Sequence, residues 1–209
     1  ATMTVLERVR DHWLTAANLV VAVFVGLPFL APVLMAVGFV GAANAIYSAY
    51  QVVCHQWAFR SFFLFGPELA YGPETLGPLV GQHEMYGFIG SPDLGYKVAF
   101  CERDVAIYLA VLVAGLLYAR YRDALPPLGV TGYAVLIAPM ALDGFTQLFG
   151  WRESSVVLRT LTGALFGVAS VWLIYPRLDA LFERAPEPVS SSVSSRASQT
   201  AGAASARPA

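Results

Sequence analysis

From residue 12 to residue 59 the chain carries no Asp, Glu, Lys or Arg. Roughly twenty apolar residues suffice to cross a bilayer, so this run holds one spanning helix with a surplus, placed at 17–40. Pro28 and Pro32 fall inside it, and each removes a backbone donor, which predicts a bend. The surplus, through Tyr47 and Tyr50 to Trp57, continues the helix or lies at the interface, where aromatic rings are enriched. A cleavable signal peptide ending near Ala43-Asn-Ala45 is the rival reading. The run is much longer than a signal h-region of roughly 7–15 residues. A membrane anchor is expected.

The rest of the chain agrees. Its 209 residues are 57% hydrophobic and 13% charged, against about 25% charged in a soluble domain. Three further apolar segments follow: 104–121, closed by Arg120 and Arg122; 128–149, opened by Pro126 and Pro127; and 156–175, ended by Tyr175-Pro176-Arg177. The expected fold is an all-α polytopic integral membrane protein with about four transmembrane helices, a long structured outer loop and a disordered C-terminal tail. Residues 1–16 read as an amphipathic lead-in, 17–176 as the four-span domain, 51–102 as the outer loop and 185–209 as the tail. The tail is Ser, Ala and Pro with almost no large apolar residue. The loop is rich in Gly and Pro, and a connection so long is uncommon unless it folds into something functional. Its Phe62-Phe63-Leu64-Phe65 run is expected to dip into the membrane surface. No internal repeat is evident. The lipid bilayer is the expected partner, together with other membrane-protein subunits. Nucleic acid is excluded, because no basic patch exists to hold a phosphate backbone.

Basic residues favour the cytoplasmic side. Arg8, Arg10, Arg120, Arg122, Arg177 and Arg184 fall on the side of the termini, whereas Arg60, Lys97, Arg103, Arg152 and Arg159 are spread over a longer length on the other. Both termini are therefore expected inside the cytoplasmic membrane, with a bacterial cell as the expected setting. Four separate stretches then meet at the outer face: Cys54 and His55, Cys101 to Asp104, Asp143 with Gln147, and Arg152 to Arg159.

Asp143 is the most conspicuous of these. It interrupts a segment apolar enough to span, and an ionisable group there normally needs a partner, a wet cavity or a task. On a helix Gln147 shares its face. Asp143 is either a general base or the centre of an ion pair with Arg103, Arg152 or Arg159, and the two roles are compatible. Cys54 and Cys101 admit three readings. They are ligands of zinc or another transition metal together with His55 and Asp104, or a disulfide, or two inert thiols. Adjacent Cys54 and His55 would point about 100° apart on a helix, so one ion could take both only from irregular backbone. His55 is otherwise a hydrogen-bonding structural histidine, His83 and Glu84 are solvated and His12 is interfacial. Asp104 could equally cap the second span. Gly163 and Gly167 form a Gly-x-x-x-Gly step suited to close helix packing.

Several motifs together resemble a known family. They are Cys54-His-Gln56 followed by Arg60-Ser-Phe62, Cys101-Glu-Arg-Asp104 with Ile107-Tyr108, Pro139-Met-Ala-Leu-Asp-Gly-Phe-Thr-Gln147, Arg152-Glu-Ser154 and Arg159-Thr-Leu-Thr-Gly163. The combination, over roughly 50–175, resembles the small predicted membrane proteins catalogued as domain of unknown function 2085. The chain departs from that pattern at Ala58, where the family often has proline, and at Asp104, where many members have the second cysteine of a Cys-x-x-Cys pair. A Cys/Asp exchange suits a metal ligand better than a disulfide partner, because both side chains coordinate zinc. The family implies no activity. The expected function is therefore a structural or assembly component with a polar, metal-binding cluster at the outer face. Gln56, Arg60, Arg103, Gln147, Arg152 and Arg159 would complete that cluster. The alternatives are a membrane metalloenzyme on a lipid-like substrate, with Asp143 as base, and a small transporter, so enzymatic status stays open.

Overall fold

The computed structural model describes residues 5–183. The expected tail, 185–209, and residues 1–4 of the lead-in fall outside these. The described residues to Arg177 form one unit; a second begins at Leu178 and is represented by the last turns of the final helix.

The charge-free run folds as a helical hairpin. Helix α1 (Val5–Ala36) continues through Pro28 and Pro32, whose rings are fully buried. Gly38 then turns the chain at φ +87, a backbone region that side chains rarely adopt. Helix α2 (Val40–Tyr50) folds back along α1 and buries Ala43, Tyr47 and Tyr50, one residue per turn. The surplus length thus packs on the anchor helix instead of extending it. The Tyr50 hydroxyl donates to the Phe24 carbonyl at 2.7 Å, closing the hairpin.

The outer loop corrects the all-α expectation. Strand β1 (Ser61–Leu64), helix α3 (Pro73–Val80), strand β2 (Gly90–Ser91) and strand β3 (Gly95–Cys101) give a three-stranded antiparallel sheet in the order β1-β3-β2. The Phe62–Phe65 run, expected in the membrane surface, supplies β1. Phe63 turns inward, 2% exposed, and Ser61 and Phe63 pair with Cys101 and Lys97 across a register shift. Short strands with so little alternation between polar and apolar residues leave a weak signal. Two apolar cores result. One joins Ala31, Tyr47, Tyr50, Val98, Phe100 and Val105, from α1, α2, β3 and the next helix. The other, within the loop, gathers Phe59, Phe63, Tyr71, Leu76 and Met85.

Three long helices complete the chain: α4 (Glu102–Tyr121), α5 (Val130–Leu148) and α6 (Val156–Glu183). Their contacts fix their directions. Asn18 Nδ2 donates to the Gly115 carbonyl at 3.2 Å, and Phe24 meets Tyr108 edge-on with 4.9 Å between ring centroids, so α1 and α4 run antiparallel. Gly163 lies over Arg103 and Gly167 over Ile107, so α6 runs parallel to α4. Trp13, Tyr118 and Tyr175 close the end of the bundle nearer the termini. The opposite end, beneath the sheet, is the loop end.

Among the described residues three segments are long and apolar enough to cross a membrane: His12–Ala36, Glu102–Ala124 and Val156–Phe182. Helix α5 stands where the remaining span was expected, but Asp143 and Gln147 dilute its apolarity and it is not among the three. The Gly-x-x-x-Gly step does bring helices close. A Cβ on Gly167 would sit 2.4 Å from the Ile107 carbonyl oxygen. Gly167→Leu is therefore expected to force α4 and α6 apart and cost about 1–3 kcal/mol, the usual range for overpacking. Thermal unfolding in mild detergent checks this against Gly26→Ala, whose added Cβ meets nothing within 4 Å.

Candidate functional site: a polar cluster at the loop end

The start of α4 is the platform. Cys101 occupies the N-cap, extended at φ −75 and ψ 162, and its sulfur accepts from the Asp104 amide at 3.5 Å. This puts Cys101, Glu102, Arg103 and Asp104 on the first turn, where they radiate in different directions at about 100° per residue. Each finds a different partner.

Glu102 points into the protein, 0% exposed, and accepts from Arg159 of α6 at 2.8 Å. Arg159, 6% exposed, also reaches Glu153 at 3.5 Å, and Glu153 takes both of its shorter bonds from Arg60, at 2.8 and 2.9 Å. Arg60 lies over the Trp57 ring, 4.8 Å from its centroid, a cation–π arrangement that fixes the guanidinium. Arg103 points towards α5 and donates to Asp143 at 2.5 Å. Asp143, 1% exposed, accepts from three further donors: Arg152 at 2.7 Å, Ser154 at 3.0 Å and Gln147 at 3.3 Å. Two cations and two neutral donors satisfy its oxygens, which a buried carboxylate requires. Of the three arginines considered as partners, Arg159 is the one that goes elsewhere.

Opposite this ionic frame lie the thiols. The loop after α2 returns to the start of α4, and the Cys54 sulfur accepts from the Cys101 amide at 3.2 Å. The Cys101 thiol donates to Asp104 Oδ2 at 3.2 Å. Two sulfurs and one carboxylate oxygen, from Cys54, Cys101 and Asp104, lie within 4.8 Å of one another. Both cysteines are free. The hydrogen bond with Cys54, then burial, then the neighbouring Asp104 charge hold the Cys101 thiol well above its ordinary range. His55 is not in this set. It is exposed, with its ring centroid 5.9 Å from that of Trp57, on the wall of a cavity of about 350 Å³ that Cys54, Cys101 and Asp104 also line. Arg60, Arg103 and Gln56 share that wall.

Gln56 takes a left-handed backbone at φ +52, uncommon for a residue with a side chain. Its Nε2 donates to the Tyr47 carbonyl at 2.8 Å, and its own carbonyl accepts from Lys97 Nζ at 2.6 Å. Lys97 is 3% exposed, in mid-strand β3. Burial lowers its amine from 10.5 to about 8. His83 and Glu84 are exposed, away from these contacts.

The sequence reading missed Glu102, Glu153 and Lys97 as members of the cluster. For Glu102 a signal was available. It separates the apolar runs of β3 and α4, as Asp143 interrupts α5. Lys97 carried no such mark, because its burial follows from a sheet that was not foreseen.

The family model described as predicted membrane protein, DUF2085, matches residues 94–173. An uncharacterized protein of Methanocaldococcus jannaschii is 32% identical over 133 residues, covering 63% of this chain and 67% of that one. An uncharacterized protein of Methanothermobacter thermautotrophicus is 38% identical over 78 residues, 35% of this chain and 67% of the relative. Both are archaeal, which does not support the expected bacterial setting. No solved structure matches.

Two outcomes follow from the geometry. Arg103→Gln removes one of the two cations on the buried Asp143 and leaves Arg152 in place, so it is expected to cost about 1.5–3 kcal/mol, the range for a hydrogen bond to a charged group. Glu153→Gln, at an exposed carboxylate, should cost about 0–1 kcal/mol; denaturant unfolding in detergent compares them. The second concerns Lys97. Its folded amine sits at about 8 against 10.5 unfolded, so between those values the unfolded chain binds more protons and stability rises with pH. Lys97→Met is expected to flatten that rise, measured as the unfolding midpoint across the same window.

Proposed function

The chain belongs to the DUF2085 family of predicted membrane proteins, and we propose that it is a multi-pass structural or assembly component whose loop end binds a transition-metal ion. One observation carries the reading. Two thiols and a carboxylate from separated segments, Cys54, Cys101 and Asp104, stand within 4.8 Å of one another beside a cavity. The charge pattern supports a cation there. Glu102, Asp143 and Glu153 each have an arginine, whereas Asp104 has none among the described residues. Zinc suits the donor set, since it takes sulfur at about 2.3 Å and carboxylate oxygen at about 2.0–2.2 Å. Its binding would displace the two thiol protons, and the ion would compensate the charge that the raised Cys101 thiol cannot carry alone.

The ionic frame has the architectural part in this reading. Through Asp143 and Arg159 it ties the ends of α4, α5 and α6 together beneath the metal site. The directions of the helices support four spans. If α4 and α6 cross the bilayer in the same sense, the chain between them must return, and α5 is the helix that lies there. Both termini then fall on one side, which we take as the cytoplasmic side of the cell membrane from the arginines of that end.

A second reading, a metalloenzyme acting on a lipid-like or interfacial substrate, is favoured by the cavity. Three protein ligands leave a coordination position for water or substrate, as catalytic zinc sites do. For Asp143 to serve as general base there, it would first have to release Arg152, the more exposed of its two cations. A variant Asp143→Asn that accumulates normally but loses its cellular phenotype would favour this reading, and loss of accumulation the architectural one.

Protein purified in mild detergent without chelator is expected to carry about one zinc per chain. That metal should be lost in Cys101→Ser and Asp104→Ala and retained in His55→Ala, as measured by elemental analysis. Free-thiol titration of the same sample separates the alternatives. A metal-free protein, whether with a Cys54–Cys101 disulfide or with two free thiols, would overturn the metal site and leave the ionic frame.

A further inference from the structure

At the other end of the bundle a second cavity has a different character. About 180 Å³ in volume, it is a half-open groove between α4 and α6 with no polar surface. Tyr118 and Val171 form its buried floor, and Leu117, Val168 and Leu125 its exposed rim. The segment between α4 and α5 closes one end of the groove and is clamped in place. Trp172 Nε1 donates to the Pro126 carbonyl at 2.8 Å, and Arg177 Nη2 donates to the Leu128 carbonyl at 3.2 Å. Leu125, held in the same segment, also lines the groove.

Both walls belong to helices long and apolar enough to cross a membrane, and the rim of the groove is apolar and exposed. Its volume and lack of polar atoms suit part of an acyl chain. The charge at its closed end selects the other half of such a ligand. Arg120 and Arg122 end α4, and Arg177 follows the groove residues of α6 by little more than a turn. All three are exposed; Asp123 lies within the same turn as Arg122 and Asp179 follows Arg177 by two residues, which leaves three arginines against two carboxylates. Basic residues beside a cleft between transmembrane helices bind anionic headgroups. We propose that this groove is a specific site for one net-negative membrane phospholipid, its acyl chain between α4 and α6 and its headgroup at Arg120 and Arg177. The site is independent of the metal at the opposite end.

Native mass spectrometry of the full chain in mild detergent tests this with two probes, phosphatidylglycerol and phosphatidylcholine of identical acyl chains. The wild type is expected to hold one phosphatidylglycerol, about tenfold or more in preference to phosphatidylcholine. Val168→Trp, which fills the groove from its exposed rim, should abolish that bound lipid. Leu125→Trp gives the same test from the connecting segment, should the helix variant fail to fold. Arg120→Gln should keep a bound lipid but lose the preference. Equal retention of the two lipids by the wild type would overturn the proposal, as would undiminished phosphatidylglycerol in both groove-filled variants. A dimer that those variants abolish, in place of a lipid, would also overturn it by making the groove a contact between copies.

Discussion

The loop end of this protein is organised around a single carboxylate that cannot stand alone. Asp143 is buried on a largely apolar helix, and its charge is tolerable there only because Arg103 and Arg152 reach it with Ser154 and Gln147. Those partners come from three places: the first turn of α4, the connection between α5 and α6, which supplies both Arg152 and Ser154, and α5 itself. Satisfying one charge therefore fixes the relative positions of three helices. A hydrophobic contact has no such demand for direction, and the apolar faces of α4 and α6 meet through glycines that permit approach without selecting a partner.

A second pairing extends the frame inward. Glu102 and Arg159 are both nearly inaccessible, so removal of either would strand the other. Through Glu153 this pair continues to Arg60 and hence to the loop before β1. Beside the site two attachments join the sheet to the helices, covalent where β3 runs into α4 and electrostatic at Arg60, in addition to the apolar core that β3 shares with α1 and α2. The thiols sit between these two attachments. Their closeness is a consequence of the frame and of the return of the loop after α2, and it does not depend on a bond between them.

Much of this was legible from residues. The uninterrupted apolar run marked a helix long and apolar enough to cross a membrane, Asp143 marked the polar cluster, and the four motif stretches do meet at one end of the bundle. What escaped was local. The surplus beyond residue 36 reads equally as an extension or an interfacial segment, and only packing against α1 decides that it turns back. The sheet escaped because Gly90-Ser91 and Ser61–Leu64 are too short to show a period of two. Lys97 then followed the sheet into the interior. His55, beside Cys54 in sequence, stays exposed and does not join the two sulfurs and the Asp104 carboxylate.

The separations along the chain set an order on how this cluster can come into being. Asp143 lies 40 residues after Arg103, and Arg159 lies 57 residues after Glu102. At ribosomal rates of about 5–20 residues per second, Glu102 waits roughly 3–11 s for its partner to be made. Until Asp143 is made, a glutamate and an arginine stand adjacent at the head of α4 with neither counter-ion available, and Glu102 then waits alone for Arg159. The ionic frame closes only when α6 arrives with Arg159.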